Sequence, residues 1–168
     1  MVNPAMDRTC FSTFATPLGK MLIAGDARGL IKVSLDKPSL PRPGWRSDAN
    51  LFRREIKAIK EYLNGKSTAL DNLKWNVGTV GTPFQRRVWK QLRKIPPGTT
   101  ATYGEIASRL GNSRAARAVG GACNANPLML LVPCHRVIGS RGRLTGFAGG
   151  LKTKLNLLKL ENPAGHYT

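Results

Sequence analysis

Cys134 stands between Pro133 and His135, at the end of the apolar run 128–132. The length of this run and the proline that stops it predict a buried strand, which places one thiol at the mouth of a hydrophobic core. Proline fixes its own backbone angle, so Cys134 should leave the strand in a defined direction. A thiol becomes a useful nucleophile when a base raises its thiolate fraction, and His135 supplies a titratable imidazole beside it. This pattern favours a cysteine nucleophile.

The bare Cys134-His135 pair also fits a purely structural role. A lone cysteine is more often a small buried hydrophobe, and its histidine neighbour is then a hydrogen-bonded core residue. Successive residues of a strand point to opposite faces, so His135 would have to reach the sulfur through a bend or a water molecule. The interpretation of this pair therefore depends on the segments around it.

The chain is strongly basic, with 27 Lys and Arg against 9 Asp and Glu and a formal charge of +18 in 168 residues. From residue 81 onward the only acids are Glu105 and Glu161, against 14 basic residues. Such a charge favours nucleic acid as a partner, although a solvated basic surface or an acidic membrane fits the same composition. We expect the second half to carry the face that binds a polyanion.

The cysteines and histidines limit the class of protein. Cys10, Cys123 and Cys134 form an odd number without a repeated spacing, which disfavours a disulfide framework and fits a reduced compartment. His135 and His166 form no paired spacing with them, so a zinc site is disfavoured. No apolar run approaches the ~20 residues that cross a bilayer, and the N-terminus lacks a signal-peptide pattern. A soluble cytoplasmic protein is predicted.

The first half, residues 1–80, is predicted to be a small scaffold domain without a catalytic constellation. Residues 1 to 9 carry no pattern and should fray. Three short apolar runs separated by turn residues predict a three-stranded meander. Its strands are expected at residues 11–14, 21–24 and 30–35. A proline-rich stretch at 37–47 should be an irregular connection, and residues 73–77 should return to the sheet.

One amphipathic helix should complete this domain. Its apolar face is formed by Phe52, Ile56, Ile59 and Leu63. Asp48 or Asn50 is available as the N-cap, and Gly65 as the C-terminal stop. Glycines and a change in charge density near residues 79–81 then mark a domain boundary.

The second half, residues 81–168, is predicted to be mainly helical, which makes the chain an α/β (α+β) protein of two domains. Thr82 with Gln85 forms a capping box around a first-turn proline, and Thr102 with Glu105 forms another. The final helix should run from 151 to 160, closed by Glu161. Its lysines are expected on the outside, at Lys152, Lys154 and Lys159. An acid at a helix C-terminus opposes the helix dipole, so Glu161 needs another partner.

Residues 102–124 form a helix-turn-helix candidate. A Gly-Asn-Ser turn at 111–113, whose serine can cap, separates the first helix from a second, Arg114 to about Ala122. Small side chains dominate the second helix at Ala115, Ala116, Ala118, Gly120 and Gly121. Arg114 and Arg117 project from this helix. A bare helix can come close to a duplex while a long arginine reaches into the base stack. The same small residues would also permit tight packing against another helix, and antiparallel helix pairs in ordinary cores look alike.

Two segments resemble a known family. Pro133-Cys134-His135-Arg136-Val137, preceded by Asn126-Pro127 and followed by glycines at 139 and 146–150, resembles the active-site signature of the O6-alkylguanine-DNA alkyltransferases, also called methylated-DNA protein-cysteine methyltransferases. The segment 115–122, Ala-Ala-Arg-Ala-Val-Gly-Gly-Ala, is similar to their recognition helix. The resemblance implies a ribonuclease H-like first domain, matched mainly through Thr-Pro-Leu-Gly-Lys at 16–20.

The resemblance implies a role for each matching residue of the catalytic centre. Cys134 takes the alkyl group, after a thiolate forms through a water molecule and His135, with Glu161 behind the histidine. Asn126 ties together the turn between the recognition helix and the nucleophile. Tyr103 helps to rotate the nucleotide and gives a proton to the departing guanine.

The resemblance also implies a DNA face and a substrate pocket. The residues expected at the DNA are Arg117, Ala115, Ala116, Gly120 and Tyr103. Those expected at the pocket are Phe147, Ala148, Lys154 and Met129. Arg117 fills the gap that a flipped nucleotide leaves in the stack. Phe147 stands where a tyrosine is common, and Ala148 where several members have serine, which alters the pocket contacts.

The resemblance therefore implies a DNA repair protein that removes the alkyl group from O6-alkylguanine in duplex DNA, once and irreversibly, without metal or cofactor. A monomer is expected, with cooperative binding along DNA as an option. Two other classes stay open. One is a sensor of alkylated DNA or a DNA-binding regulator whose cysteine does not react, and the other is a cysteine hydrolase that turns over many times.

Overall fold

The computed structural model describes residues 9–35, 37, 41–78 and 80–168. The chain divides into two compact units, with the division between residues 79 and 80. The first unit is a sheet with one helix and the second is mainly helical, so the predicted α/β (α+β) class is confirmed. The predicted fraying of residues 1 to 9 falls, apart from Thr9, outside the described residues.

The first unit is built on a four-stranded sheet. Its strands are β1 (Cys10–Thr16), β2 (Gly19–Asp26), β3 (Gly29–Leu35) and β4 (Arg46–Ser47). The first three form the predicted meander with antiparallel pairing, while β4 pairs parallel with β1, giving the order β3-β2-β1-β4. Gly19 and Gly29 open the hairpin strands at φ of 112° and 135°, where a side chain would be strained.

Residues 73–77 return to the sheet, as predicted, through one parallel bridge, Leu30 to Trp75, in which Leu30 donates to the Lys74 carbonyl and accepts from the Asn76 N–H. The cap of the helix differs from the prediction. The helix α1 (Arg53–Leu63) has Phe52 at its N-cap and no side-chain cap. Asp48 accepts hydrogen bonds from the turn before the helix instead, so capping by Asp48 or Asn50 is wrong.

The second unit contains four α-helices. They are α2 (Pro83–Leu92), α3 (Tyr103–Arg109), α4 (Ala116–Asn124) and α5 (Leu151–Glu161). Both predicted capping boxes form, at Thr82 and at Thr102, so the starts of α2 and α3 are confirmed. A short parallel pair, β5 (Ala101–Thr102) and β6 (Val137–Ile138), ties α3 to the segment after Cys134.

The turn between α3 and α4 is capped by a different residue from the predicted one. The Asn112 side chain accepts a hydrogen bond from the Arg114 backbone at 3.2 Å and opens a single 3-10 turn, Ser113–Ala115. The α-helix begins only at Ala116, so the serine cap is wrong. An asparagine bonds its own backbone two residues on, and it stands one position before the serine.

The apolar run 128–132 is buried, as predicted, but it is not a strand. The Val132 N–H donates to the Leu128 carbonyl at 2.9 Å, and Leu130 adopts a φ of 74°, so the run folds into turns. The Val132 carbonyl bonds a side chain rather than a neighbouring strand. A single 3-10 turn, Cys134–Arg136, follows and leads into β6. The thiol therefore leaves a buried turn, and His135 is not held on the opposite face of a strand.

Candidate active site

Cys134 begins its 3-10 turn with only 6% of its surface exposed. Its Sγ accepts a hydrogen bond from Asn126 Nδ2 at 3.2 Å. The same amide nitrogen donates to the Val132 carbonyl at 2.8 Å, and Asn126 Oδ1 accepts from the Leu128 N–H at 2.9 Å. The Asn126 side chain thus holds the buried turn and donates to the sulfur. The structure therefore places the predicted Asn126 beside Cys134.

Burial controls the ionisation of this thiol. Loss of solvent raises the pKa of Cys134, while the Asn126 hydrogen bond and the positive charge of Lys154 act in the opposite direction. Because burial dominates, the thiol is protonated at rest near neutral pH. A nucleophile of this kind needs a base that takes the proton as the substrate arrives.

His135 is fully buried and lies against a carboxylate. Its Nε2 is 3.1 Å from Glu161 Oε1, so the structure brings together the predicted His135 and Glu161. Glu161 also accepts from the Gly98 N–H at 3.1 Å and from the Arg136 guanidinium, whose closest contact is 2.7 Å. Arg136 Nη1 donates to the Ile95 carbonyl at 2.6 Å. Arg136 was not among the predicted site residues, although an acid at a helix C-terminus in so basic a domain calls for a cation.

The charges around His135 leave it as a proton acceptor. Burial lowers the pKa of His135, the Glu161 carboxylate raises it, and the nearby cations Arg136 and Lys154 lower it again. The downward direction prevails, so the imidazole is neutral near pH 7. Since the Glu161 carboxylate accepts a hydrogen bond from Nε2, the ring proton belongs on Nε2 and Nδ1 is the basic nitrogen. A water molecule between Sγ and the ring stays a prediction.

Lys154 is fully buried, so its predicted position on the outside of the last helix is wrong. Its Nζ donates to the carbonyls of Val137 and Thr145, which makes burial of the ammonium tolerable. The Thr145 carbonyl also accepts from the Tyr103 hydroxyl at 3.3 Å, and Nζ lies 5.9 Å from the Tyr103 ring centroid. Burial raises the pKa of Tyr103, so its hydroxyl keeps its proton.

Small residues of α4 line an open groove of about 600 Å³ with Arg117, Tyr103 and the segment 145–146. A methyl group added at Gly121 would meet nothing within 4 Å, and one at Gly120 would only reach ordinary contact with the Tyr103 ring at 3.8 Å. Packing inside the unit therefore does not require glycine at either position. This finding favours an external surface as the reason for the bare helix. Arg117 is exposed beside it.

The glycine-rich loop brings Phe147 and Met129 together. A Cβ added at Gly149 would lie 2.9 Å from the Phe147 ring and 3.2 Å from Met129 Cε, so the loop needs glycine there. The Phe147 ring meets the His135 imidazole edge-on, with centroids 6.5 Å apart. Ala148 is exposed on the same loop. Of the predicted pocket residues, Phe147 thus lies near the imidazole, and Met129 lies beside the same loop.

Comparison with known proteins identifies the family. The family model of the 6-O-methylguanine DNA methyltransferase ribonuclease-like domain matches residues 10–76, and that of the DNA binding domain matches residues 83–163. A methylated-DNA–protein-cysteine methyltransferase of Methanosarcina acetivorans is 44% identical over 154 residues, which cover 90% of this chain and 97% of that protein. The chain belongs to this methyltransferase family.

Other relatives support the assignment. The methylated-DNA–protein-cysteine methyltransferase of Haemophilus influenzae is 38% identical over 90% of this chain and 85% of its own length. A crystal structure of Mycobacterium tuberculosis OGT in complex with DNA has a TM-score of 0.83 and 38% identity, covering 92% of this chain and 93% of that one. The predicted resemblance to the alkyltransferases is confirmed over both units.

The described residues of this methyltransferase add two observations. None of their helices is long and apolar enough to span a membrane. Across the same residues, no cluster of three or more His, Cys, Asp or Glu side chains is arranged to hold a metal ion.

Replacement of Asn126 by alanine should destabilise this methyltransferase by about 1–3 kcal/mol, because the buried Leu128 N–H loses its acceptor and the Val132 carbonyl keeps only the Cys134 N–H as a donor. It should also slow reaction at Cys134, whose sulfur loses its donor. Denaturant unfolding and alkylation rates measure the two effects. Asn156→Ala, an exposed change on α5, is the matched control and should alter neither. Equal stability of the two variants would show that the Asn126 hydrogen bonds do not stabilise the buried turn.

Proposed function

We propose that this protein repairs DNA by moving a methyl group from O6 of guanine in duplex DNA to Cys134. The family assignment supports transfer from methylated DNA to a protein cysteine. The observation that carries the choice of residue is the buried Cys134 beside Asn126, next in sequence to a neutral imidazole backed by Glu161.

The transfer step balances without a cofactor. The Sγ proton passes through a water molecule to His135 Nδ1, and Sγ attacks the methyl carbon. The bond from that carbon to O6 breaks, and its electrons return to the guanine ring. Tyr103, whose hydroxyl is protonated at rest, gives its proton to the leaving guanine. The product is a thioether that the same groups do not hydrolyse, so each molecule acts once.

The target base must leave the duplex for this step, because a thiol cannot reach O6 inside a base-paired stack. The exposed α4 groove suits a shallow approach to the duplex, with Ala115, Ala116 and Gly120 at the surface and Arg117 in the gap. We propose a monomer in this role, and cytoplasmic location stays a prediction.

Replacement of Arg117 by alanine should slow transfer from duplex DNA about 10²-fold, because unstacking costs a few kcal/mol and nothing fills the gap. Arg114→Ala removes the same charge at an exposed position in the turn before α4, outside the groove, and is the matched control. Rates on duplex and on single-stranded oligonucleotide separate the effects, since a single strand leaves no gap. If both variants slow the duplex reaction equally, Arg117 contributes charge alone.

Duplex binding should weaken as salt is added. With about four phosphate contacts, affinity should fall ~10²-fold between 50 and 200 mM salt. Fluorescence anisotropy of a labelled duplex measures the slope. An affinity that does not change with salt would contradict the assignment of the basic second unit as the DNA face.

A sensor of alkylated DNA is the second candidate, favoured by the near-complete burial of Cys134 and the raised pKa of its thiol. Titration with a duplex carrying radiolabelled O6-methylguanine separates the candidates. One methyl per chain, with no further uptake on repeated addition, is expected for transfer. A sensor binds the duplex and retains no label, while a hydrolase releases label continuously.

A further inference from the structure

Arg136 makes more side-chain contacts around the relay than the proposed chemistry explains. It is 7% exposed although it is an arginine, and its guanidinium is held at both ends. Nη1 donates to the Ile95 carbonyl, while Nε and Nη2 point at Glu161. Arginine forks of this kind are rigid and directional. The residue transfers no proton in the mechanism above, so its placement requires another reason.

The fork fixes the orientation of the Glu161 carboxylate. Oε1 accepts from Arg136 Nη2 at 2.7 Å and lies 3.1 Å from His135 Nε2. Oε2 accepts from Arg136 Nε at 3.0 Å and from the Gly98 N–H at 3.1 Å. Because both oxygens are held, the carboxylate cannot rotate, and Oε1 remains aimed at the imidazole.

The Arg136 guanidinium also compensates the negative charge of Glu161, which would otherwise favour protonation of the imidazole. The groups that face His135 are the Glu161 carboxylate, which favours imidazolium, and the cations Arg136 and Lys154, which oppose it. An imidazolium cannot accept the Cys134 proton. The carboxylate therefore helps to orient the ring only if its charge is compensated, and Arg136 lies directly against it.

We propose that Arg136 is a positioning residue for alkyl transfer. It locks the Glu161 carboxylate in one orientation and balances its charge, so that His135 waits as a neutral imidazole with its proton on Nε2. This inference depends on the proposed function and adds a device that sets the pH range in which the relay operates.

The test is the rate of methyl transfer from duplex DNA as a function of pH in five variants and the wild type. Arg136→Gln removes the charge, and Arg136→Lys keeps it without the fork. Lys159→Gln makes the same charge change at an exposed site on α5 and is the matched control. Arg136→Gln leaves a buried carboxylate without its partner and lowers stability. The double variant Arg136→Gln with Glu161→Gln removes both charges, and Glu161→Gln alone is its reference.

In Arg136→Gln the acid limb of the rate profile should move to higher pH by about one unit, as expected for loss of a cation near the imidazole. The loss of transfer should therefore grow as the pH falls below neutrality, to a limit of about tenfold relative to the loss near pH 8. Arg136→Lys should restore the position of the limb but not the full rate, because one ammonium cannot hold two oxygens. The double variant should react no more slowly than Glu161→Gln alone. Lys159→Gln should keep the wild-type profile.

A purely structural role gives a different result. In that case, the number of methyl groups accepted per chain falls, while the molecules that still react keep the wild-type pH profile. That outcome would overturn the inference and leave the proposed function intact. Failure of the wild-type protein to accept any methyl group would instead refute the proposed function. A duplex dissociation constant that is unchanged in Arg136→Gln excludes an effect through DNA binding.

Discussion

Replacement of Cys134 by alanine should abolish methyl transfer completely and leave duplex binding unchanged. The sulfur is the atom that forms the new bond, and no neighbouring group of the site replaces it. Because the side chain is buried and does not line the α4 groove, the DNA face should survive. Radiolabel transfer and duplex anisotropy, measured on the same preparation, test the two halves of the prediction.

Cys123→Ala is the matched control for this experiment. Cys123 is also a buried thiol, and burial raises its pKa to about 12. Asn124 follows it where a histidine follows Cys134, so it lacks an adjacent base and should not compete as a nucleophile. Its replacement should leave one methyl accepted per chain. Residual transfer by Cys134→Ala would move the reaction to Cys10 or Cys123 and contradict the proposal.

Replacement of Glu161 by alanine should lower the free energy of unfolding by about 3–5 kcal/mol and slow transfer as well. Removal of one partner from a buried ion pair leaves Arg136 charged and uncompensated, and this is the costly case. Gly98 loses its acceptor too, and His135 loses the group that orients it. Urea denaturation gives the stability, and single-turnover rates on the folded fraction give the chemistry.

Glu61→Ala supplies the comparison for Glu161. Glu61 forms ion pairs with Lys57 and Lys66 at the surface of α1, where solvent screens the charges. Its loss should change stability by less than about 1 kcal/mol and leave transfer unaffected. Similar losses of stability in the two variants would show that the buried contacts of Glu161 stabilise the fold no more than a surface ion pair does.

Local sequence rules predicted the structure correctly where the residues of a motif and the contacts they make lie within one turn of the chain. The capping boxes at Thr82 and Thr102 are such cases, because both partners stand three residues apart. The meander strands followed from turn residues and apolar runs in the same way. The end of the last helix at Glu161 was also confirmed.

The apolar run 128–132 shows where local rules end. Its composition fits a strand and a buried turn equally, since both exclude water from every side chain. In the structure, the Val132 carbonyl accepts from the Asn126 amide and from the Cys134 N–H instead of from a neighbouring strand. The resemblance placed Asn126 in the site, but no spacing rule indicated that it would bend this run.

Lys154 and Arg136 could not be placed from spacing because their partners are distant along the chain. Lys154 is buried by two carbonyls, at Val137 and Thr145, and a backbone carbonyl has no sequence signature. Arg136 meets Glu161, 25 residues later, and the Ile95 carbonyl, 41 residues earlier. Because the composition is strongly basic, every arginine fitted a surface position. The sequence therefore did not single out Arg136 as the partner of a buried acid.

Peptide mass spectrometry after reaction with a duplex containing O6-methylguanine tests the central claim most directly. The account predicts one added methyl group, located on the peptide that contains Cys134, with Cys10 and Cys123 unchanged. A methyl group on another residue, or an unmodified protein that still binds the duplex, would contradict it.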